Sequence, residues 1–138
     1  MKKNIKILII EDEPVLREMY EQKFSQSGLK IVSAEDGRIV AVGNQDRFCP
    51  RGAYGKFIVV KHYNGLTTLY AHLSNYAVKA GDEVSRGQLI GYMGKTGYAT
   101  GTHLHFTVYD STTFKIQESK SCGPMPIGGD IDPHNYVL

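Results

Sequence analysis

Residues 56–74 read "KFIVVKHYNGLTTLYAHLS", two apolar-rich runs joined at Gly65. Both runs are rich in β-branched and aromatic residues, and a glycine turn separates them, which is typical of two short antiparallel strands. The same pattern recurs in three further segments, which are 38–44, 88–94 and 103–110. No helical period interrupts these segments. Residues 37–138 are therefore predicted to fold as a mainly β domain with antiparallel strands.

The N-terminal part of the chain follows a different pattern. An apolar run at residues 5–10 ends in acidic residues and Pro14, and proline is a favourable first residue of a helix. Apolar side chains then recur at helical spacing, and a second apolar run covers residues 29–34. These features predict a short β-α-β segment, which needs a parallel sheet around it. We therefore expect two domains, residues 1–36 and residues 37–138.

The composition excludes several classes of function. The chain has 138 residues, of which 41% are hydrophobic, enough to build a globular core. Sixteen basic and fourteen acidic residues give a net charge of +2 without a basic cluster, so no nucleic-acid partner is expected. The apolar run at residues 7–10 is too short for a signal peptide or a membrane span, which predicts a cytoplasmic protein.

The two cysteines point to a different compartment. Cys49 and Cys122 lie beside proline or glycine in loop-like segments, and neither has a second cysteine or a histidine at zinc-finger spacing. A disulfide bond between them would suit an exported protein. The two indications of compartment therefore disagree.

Residues 100–110, "TGTHLHFTVYD", place His103 and His105 two positions apart in a predicted strand. Side chains at i and i+2 of a strand share one face, about 6.5 to 7 Å apart, so the two imidazoles share a surface. A zinc hydrolase can use such a pair, with one imidazole on the metal and the other on the reacting group. A catalytic zinc needs three protein ligands and a water, so further ligands must come from elsewhere. His62 and His134 carry no motif and are expected to be ordinary surface residues.

Three stretches of the second domain carry a resemblance to a known family, namely "GAYGKFIVVKHYNGLTTLYAHLS", "VKAGDEVSRGQLIGYMGKTGYATGTHLHF" and "DPHNYVL". Residues 37–138 resemble the C-terminal portion of the lysostaphin-type (LytM-like) zinc metallopeptidases, which cut peptide bonds in peptidoglycan. The resemblance implies an antiparallel, barrel-sandwich-like β-sheet domain whose partner is peptidoglycan peptide or glycan. It also implies that His105 is a zinc ligand and that His72 and His103 are catalytic histidines.

The same resemblance shows what this sequence lacks. The family's other two zinc ligands are a histidine and an aspartate in a His-x-x-x-Asp motif on an earlier strand, and none of the first 61 residues here is a histidine. We therefore expect zinc to bind weakly or not at all, and the peptidase activity to be impaired. Two alternatives stay open. Either an acidic residue near the N-terminus (Asp12, Glu11 or Glu13) replaces the lost aspartate, or the domain is a degenerate, non-catalytic binding module.

The N-terminal stretch "IKILIIEDEPVLREMYEQKFSQSGLKIVSAEDG", within residues 4–37, carries a second resemblance. It is similar to the first strand, helix and second strand of CheY-like response-regulator receiver domains. That similarity implies a magnesium-binding role for Glu11 and Asp12, whereas the alternative is a solvated strand end whose acids complement the helix dipole. Residues 50–58, where the phosphoacceptor would fall, contain no aspartate, so phosphotransfer is not expected. The chain is thus interpreted as a chimera of a receiver-like N-terminal segment and a LytM-like domain. A signalling function of the receiver type is a further alternative to the peptidase function.

Overall fold

The computed structural model describes residues 29–132. The first strand and the helix of the predicted receiver-like segment lie outside these residues, as do Glu11, Asp12, Glu13 and His134. Ten strands are present in the described part: β1 Lys30–Val32, β2 Gly37–Asn44, β3 Lys56–His62, β4 Leu66–Tyr76, β5 Glu83–Val84, β6 Leu89–Met93, β7 His105–Asp110, β8 Lys115–Ser119, β9 Gly123–Ile127 and β10 Asp130–Ile131. A short 3-10 helix, Gln45–Arg47, follows β2. Within residues 29–132 no helix is long and apolar enough to cross a membrane.

Eight of the strands form one sheet, in the order β1-β6-β4-β3-β2-β5, with β7 paired to β4 and β10 paired to β7. β8 and β9 form a separate two-stranded sheet. Within residues 29–132 every predicted β segment contains a strand, and every strand pairing is antiparallel. The prediction of a mainly β, antiparallel domain is confirmed.

The core lies on both faces of the central strands β3 and β4. Ile58 and Val60 pack in a larger apolar cluster on one face, while Phe57 and Val59 pack in a smaller cluster on the other. This two-sided burial explains why "FIVV" is continuously apolar rather than alternating. Tyr54, just before β3, packs against the smaller cluster.

The apolar run at residues 29–34 contains a strand, β1, but its partner differs from the predicted one. Ile31 pairs antiparallel with Gly91 of β6, and its side chain is buried in the larger cluster. The parallel sheet expected around this run is therefore wrong for β1, because an apolar run predicts a buried strand without specifying its neighbour. β1 and β2 belong to one sheet, so a division of the chain after residue 36 separates two strands of that sheet.

His62 differs from the prediction as well. Its side chain is 3% exposed, and its two ring nitrogens lie 3.0 Å from the Asp36 carbonyl oxygen and 2.7 Å from Thr68 Oγ1. The prediction of an ordinary surface residue is wrong. His62 follows Ile58 and Val60 in the strand alternation and therefore faces the same buried side of β3.

Cys49 and Cys122 form a disulfide bond, with their Cα atoms 4.8 Å apart. The bond joins the loop that follows the 3-10 helix to the start of β9. A second contact lies next to the disulfide bond. The Phe48 ring packs so closely on Gly123 that a Cβ added to Gly123 would lie 2.5 Å from the ring. The β8–β9 hairpin is therefore attached to the loop that leads to Tyr54.

Candidate functional site

Three histidines predicted from the sequence come together in the structure. The ring centroid of His72 lies 4.7 Å from that of His103 and 5.7 Å from that of His105. Strand pairing brings them together, because Ala71 of β4 lies opposite His105 of β7. The backbone N–H of His103 donates to the Gly94 carbonyl at 3.1 Å, which fixes the segment before β7. We call His72, His103 and His105 the histidine cluster.

An extra residue in β4 directs His72 into this cluster. Between the pairs Tyr70–Ile58 and Leu73–Lys56, two residues of β4 face one residue of β3. His72 has a φ of 61°, in the left-handed region that residues other than glycine rarely adopt. Such β-bulges re-aim side chains and are enriched beside active sites. The bulge thus interrupts the alternation of β4 at the residue that contacts both other histidines.

The imidazole of His72 is held by a backbone carbonyl. Its Nδ1 lies 2.7 Å from the Thr96 carbonyl oxygen, which can only accept, so Nδ1 carries the proton and donates. Nε2 is then the acceptor atom of the neutral ring. Burial lowers the pKa of His72 and nearby His103 lowers it further, whereas the Thr96 bond and Asp46 raise it. The net lowering favours a neutral imidazole with a defined tautomer.

His105, the first residue of β7, is half-buried beside Tyr54. Its Nε2 lies 2.9 Å from Thr107 Oγ1, and its ring centroid lies 5.3 Å from that of Tyr54. Burial lowers the pKa of His105, and the neighbouring His72 and His103 lower it further. His105 therefore also favours the neutral form.

The face of β7 that carries His105 continues into the smaller apolar cluster, which contains Tyr109. Thr107 and Tyr109 follow His105 at every second position, while Phe106 and Val108 belong to the larger apolar cluster on the other face. This confirms the predicted alternation. Burial and the nearby Tyr54 raise the pKa of the Tyr109 hydroxyl, which therefore stays protonated. Sequence reasoning missed Thr107 and Tyr109, although the period of two starting at His105 would have placed both on its face.

Two loops in close backbone contact form the walls of the cluster. A Cβ on Gly97 would lie 2.2 Å from the Ala53 carbonyl oxygen, and one on Gly55 would lie 2.3 Å from the Gly97 nitrogen. Both glycines also have positive φ, 63° at Gly55 and 71° at Gly97. The N–H of Tyr98 donates to the Ala53 carbonyl at 2.7 Å. Side chains would separate these loops, so glycine is required on both sides.

The described residues alone do not fit a zinc site. Among residues 29–132, no group of three or more histidine, cysteine, aspartate or glutamate side chains is arranged to hold a metal ion. A catalytic zinc needs three protein ligands, and here the histidines contact one another ring to ring. His72 and His105 offer neutral imidazoles instead, which can bind a peptide group by hydrogen bonds.

Comparison with known proteins identifies relatives of the chain. The model of Peptidase family M23 matches residues 22–117. Peptidoglycan DD-endopeptidase ShyA of Vibrio cholerae is 40% identical over 79 residues, which are 57% of this chain and 17% of that protein. The solved catalytic domain of the antimicrobial peptidase lysostaphin from Staphylococcus simulans is 32% identical, with a TM-score of 0.61, over 82% of this chain and 73% of that one. A solved zinc containing peptidase from Vibrio cholerae is 31% identical, with a TM-score of 0.54, over 72% of this chain and 26% of that one.

These matches also bear on the organisation of the chain. The chain spans about a sixth of the length of the first curated relatives, 17% in each case. The family match begins at residue 22, inside the segment interpreted above as receiver-like. The interpretation of residues 1–36 as a receiver fragment receives no support from these matches.

Proposed function

The chain belongs to Peptidase family M23, and from that membership we propose that it carries the histidine part of a LytM-type peptidoglycan endopeptidase site. In this proposal His72 and His103 are the catalytic histidines and His105 is the metal ligand. The observation that supports it most is the contact of the His72 ring with both other rings. Three histidines from two separate strand regions meet at a β-bulge. Surface histidines without a shared function would not be expected to converge in this way.

The chain's own residues would act on a peptide in three ways. The Thr96 carbonyl holds the His72 tautomer, so Nε2 can accept a proton or a hydrogen bond in the cluster. Thr107 orients the His105 ring through its Nε2. Tyr54 covers one side of the His105 ring and restricts access of water.

We propose that zinc binding is weak or absent in this chain and that cleavage is impaired. None of its five histidines is followed four residues later by an aspartate, so the sequence contains no His-x-x-x-Asp motif. Affinity for zinc depends on the number of ligands and on a preformed geometry, and His105 alone supplies neither. The candidates to substitute for the missing carboxylate (Asp12, Glu11 and Glu13) lie outside the described residues.

The substrate class follows from the relatives. ShyA is a peptidoglycan DD-endopeptidase, so we propose that this chain recognises the peptides of peptidoglycan. The Cys49–Cys122 bond supports a location in an oxidising compartment rather than the predicted cytoplasm. Peptidoglycan lies in such a compartment.

A non-catalytic binding module is the second candidate. The loops around the histidine cluster are in close contact through Gly55 and Gly97, whereas residues 29–132 contain no group able to hold a metal. In this candidate the histidine cluster, held between two loops in close backbone contact, would bind a peptide by hydrogen bonds without hydrolysing it. The receiver-type signalling function rests on residues outside the described part and gains no support here.

Three measurements on the purified full chain separate these functions. They are the zinc content by mass spectrometry, cleavage of cross-linked peptidoglycan peptides, and the affinity for the same peptides by calorimetry. The variants are His72→Ala and His105→Ala, with His134→Ala as the control for loss of a histidine. We expect substoichiometric zinc, slow or no cleavage, and peptide binding that both cluster variants weaken and the control retains. Stoichiometric zinc with cleavage that His105→Ala abolishes would show a complete enzyme, and absence of both binding and cleavage would refute the proposal.

A further inference from the structure

Gln45 is a fully buried polar residue. Its side chain is 0% exposed, yet both ends of its amide are hydrogen-bonded. Oε1 accepts from the Tyr54 N–H at 2.7 Å, and Nε2 donates to the Pro124 carbonyl at 2.9 Å. The Gln45 N–H donates to the Gly55 carbonyl at 2.9 Å. A buried amide with these bonds fixes its partners, because any displacement leaves polar groups unpaired at a cost of about 1–3 kcal/mol each.

The bonds of Gln45 reach one wall of the histidine cluster. Tyr54, whose backbone Gln45 holds, places its ring 5.3 Å from that of His105. Gln45 therefore sets the position of Tyr54 over His105 without touching the imidazole. The Cys49–Cys122 bond also joins the loop that leads to Tyr54 to the β8–β9 hairpin, which contains Pro124. This loop is therefore attached to the hairpin at two points, by the disulfide and by Gln45.

Asp46, the next residue, reaches the opposite wall. Its Oδ2 accepts from the Gly97 N–H at 3.2 Å and its Oδ1 accepts from the Arg51 N–H at 3.1 Å. Gly97 follows Thr96, whose carbonyl accepts the Nδ1–H of His72 at 2.7 Å. Asp46 thus holds the backbone that orients His72, again without contacting the ring.

We propose that Gln45 and Asp46 are positioning residues for the histidine cluster, Gln45 holding Tyr54 against His105 and Asp46 holding Thr96 against His72. They are adjacent in one 3-10 turn, and Asn44 caps this turn by accepting from the Asp46 N–H at 3.0 Å. One short turn therefore sets both contacts. The role rests on the proposed function because it concerns the same histidines, but its test measures geometry and needs neither cleavage nor peptide binding.

The test follows two contacts by NMR in the isotope-labelled full chain. The first is the nuclear Overhauser cross-peak between the rings of Tyr54 and His105, and the second is the slow exchange of the hydrogen-bonded Nδ1 proton of His72. Gln45→Leu should abolish the first and retain the second, whereas Asp46→Ala should abolish the second and retain the first. A merely structural role would weaken both contacts together in each variant.

Two control variants sharpen the result. In Gln45→Glu a protonated carboxyl, which burial favours, keeps an acceptor for the Tyr54 N–H and a donor for the Pro124 carbonyl, so this variant should retain the Tyr54–His105 cross-peak. Met125→Leu alters only the thioether that lies 3.3 Å from Gln45 Nε2, and should retain both contacts. Retention of the Tyr54–His105 cross-peak in Gln45→Leu, or parallel loss of both contacts in both variants, would overturn the proposal.

Hydrogen exchange on the unmodified protein provides a test that does not depend on folding of the variants. The Tyr54 and Gly97 amides donate to Gln45 and Asp46, so both should exchange far more slowly than unstructured-peptide rates. Exchange of both amides at unstructured-peptide rates would also overturn the proposal. Loss of cleavage or peptide binding in the earlier experiment, by contrast, would leave this result unaffected.

Discussion

The rings of His72 and His103 lie 4.7 Å apart, and this contact depends on a left-handed backbone at His72, with a φ of 61°. A side chain with a Cβ in this conformation costs about 1–2 kcal/mol relative to an ordinary one. The strain persists only where the surrounding structure imposes it, which is common at functional sites. In this chain the change of partner of β4, from β7 to β6, imposes it.

Substitution of His72 by glycine should therefore destabilise the protein less than substitution by alanine. His72→Gly and His72→Ala both lose the bond to Thr96, so the difference between them reflects the backbone strain, offset in part by the greater freedom of glycine in the unfolded chain. We expect His72→Gly to be more stable than His72→Ala by about 1 kcal/mol in urea unfolding, since glycine adopts positive φ without a steric penalty. Equal stability, or a more stable alanine variant, would contradict this prediction.

Buried His62 should make stability depend on pH. Burial lowers its pKa from the ordinary value of 6.5, against smaller raising effects of the Asp36 carbonyl and Glu35. The unfolded chain then binds more protons, so the stability due to neutral His62 is fully present above pH 6.5. It is lost as the pH falls from there through the lower folded-state pKa.

Substitution separates His62 from the other histidines in this pH dependence. His62→Gln should make the loss of unfolding free energy below pH 6.5 less steep, without abolishing it, because burial also lowers the pKa values of His72 and His105. Urea unfolding of both proteins across this range measures the slope. An unchanged slope in His62→Gln would contradict the prediction.

Reduction of the Cys49–Cys122 bond should destabilise the domain. The bond links residues 73 positions apart, for which chain entropy gives about 4 kcal/mol. We expect urea unfolding in reductant to match that of the double variant Cys49→Ser/Cys122→Ser, and both to fall below the oxidised protein. Two free thiols in the oxidised, denatured protein would contradict the presence of the bond.

The contact between the two loops should make Gly97 sensitive to a single methyl group. Gly97→Ala would place a Cβ 2.2 Å from the Ala53 carbonyl, whereas Gly87→Ala, also at positive φ, would place one in open space. We expect Gly97→Ala to be the less stable of the two by about 1–3 kcal/mol, because it adds overlap to the shared backbone strain. Thermal unfolding of both variants measures the difference, and equal melting temperatures would refute the loop contact.

Adding the missing motif should restore a complete site. The replacement should end at residue 28, because β1 begins at Lys30 and belongs to the sheet. A chimera with a family-type segment carrying His-x-x-x-Asp in place of residues 1–28 should bind one zinc and gain peptide cleavage that His105→Ala removes. Equal zinc content and equal cleavage by the original chain would show that its own N-terminal residues already supply ligands.

The sequence allowed the strands and the histidine cluster to be predicted because both leave local marks. Apolar-rich runs and glycine turns marked β2, β3, β4, β6 and β7, and the family motifs marked His72, His103 and His105. The buried state of His62 and the antiparallel partner of β1 depend on which segments lie across the sheet, and no local pattern specifies that. The same holds for Gln45, whose partner Pro124 is 79 residues away.

The change of partner along β4 has a practical consequence for design. Its first half pairs with β7 and its second half with β6, so the chain between those two strands leaves the sheet at the histidines and returns there. A Cβ at Gly101 in this connection would meet no atom within 4 Å. Extra residues inserted between Tyr98 and Gly101 would enter open space beside Gly101 while both ladders kept their register. This connection can therefore be lengthened with little effect on the stability of the sheet.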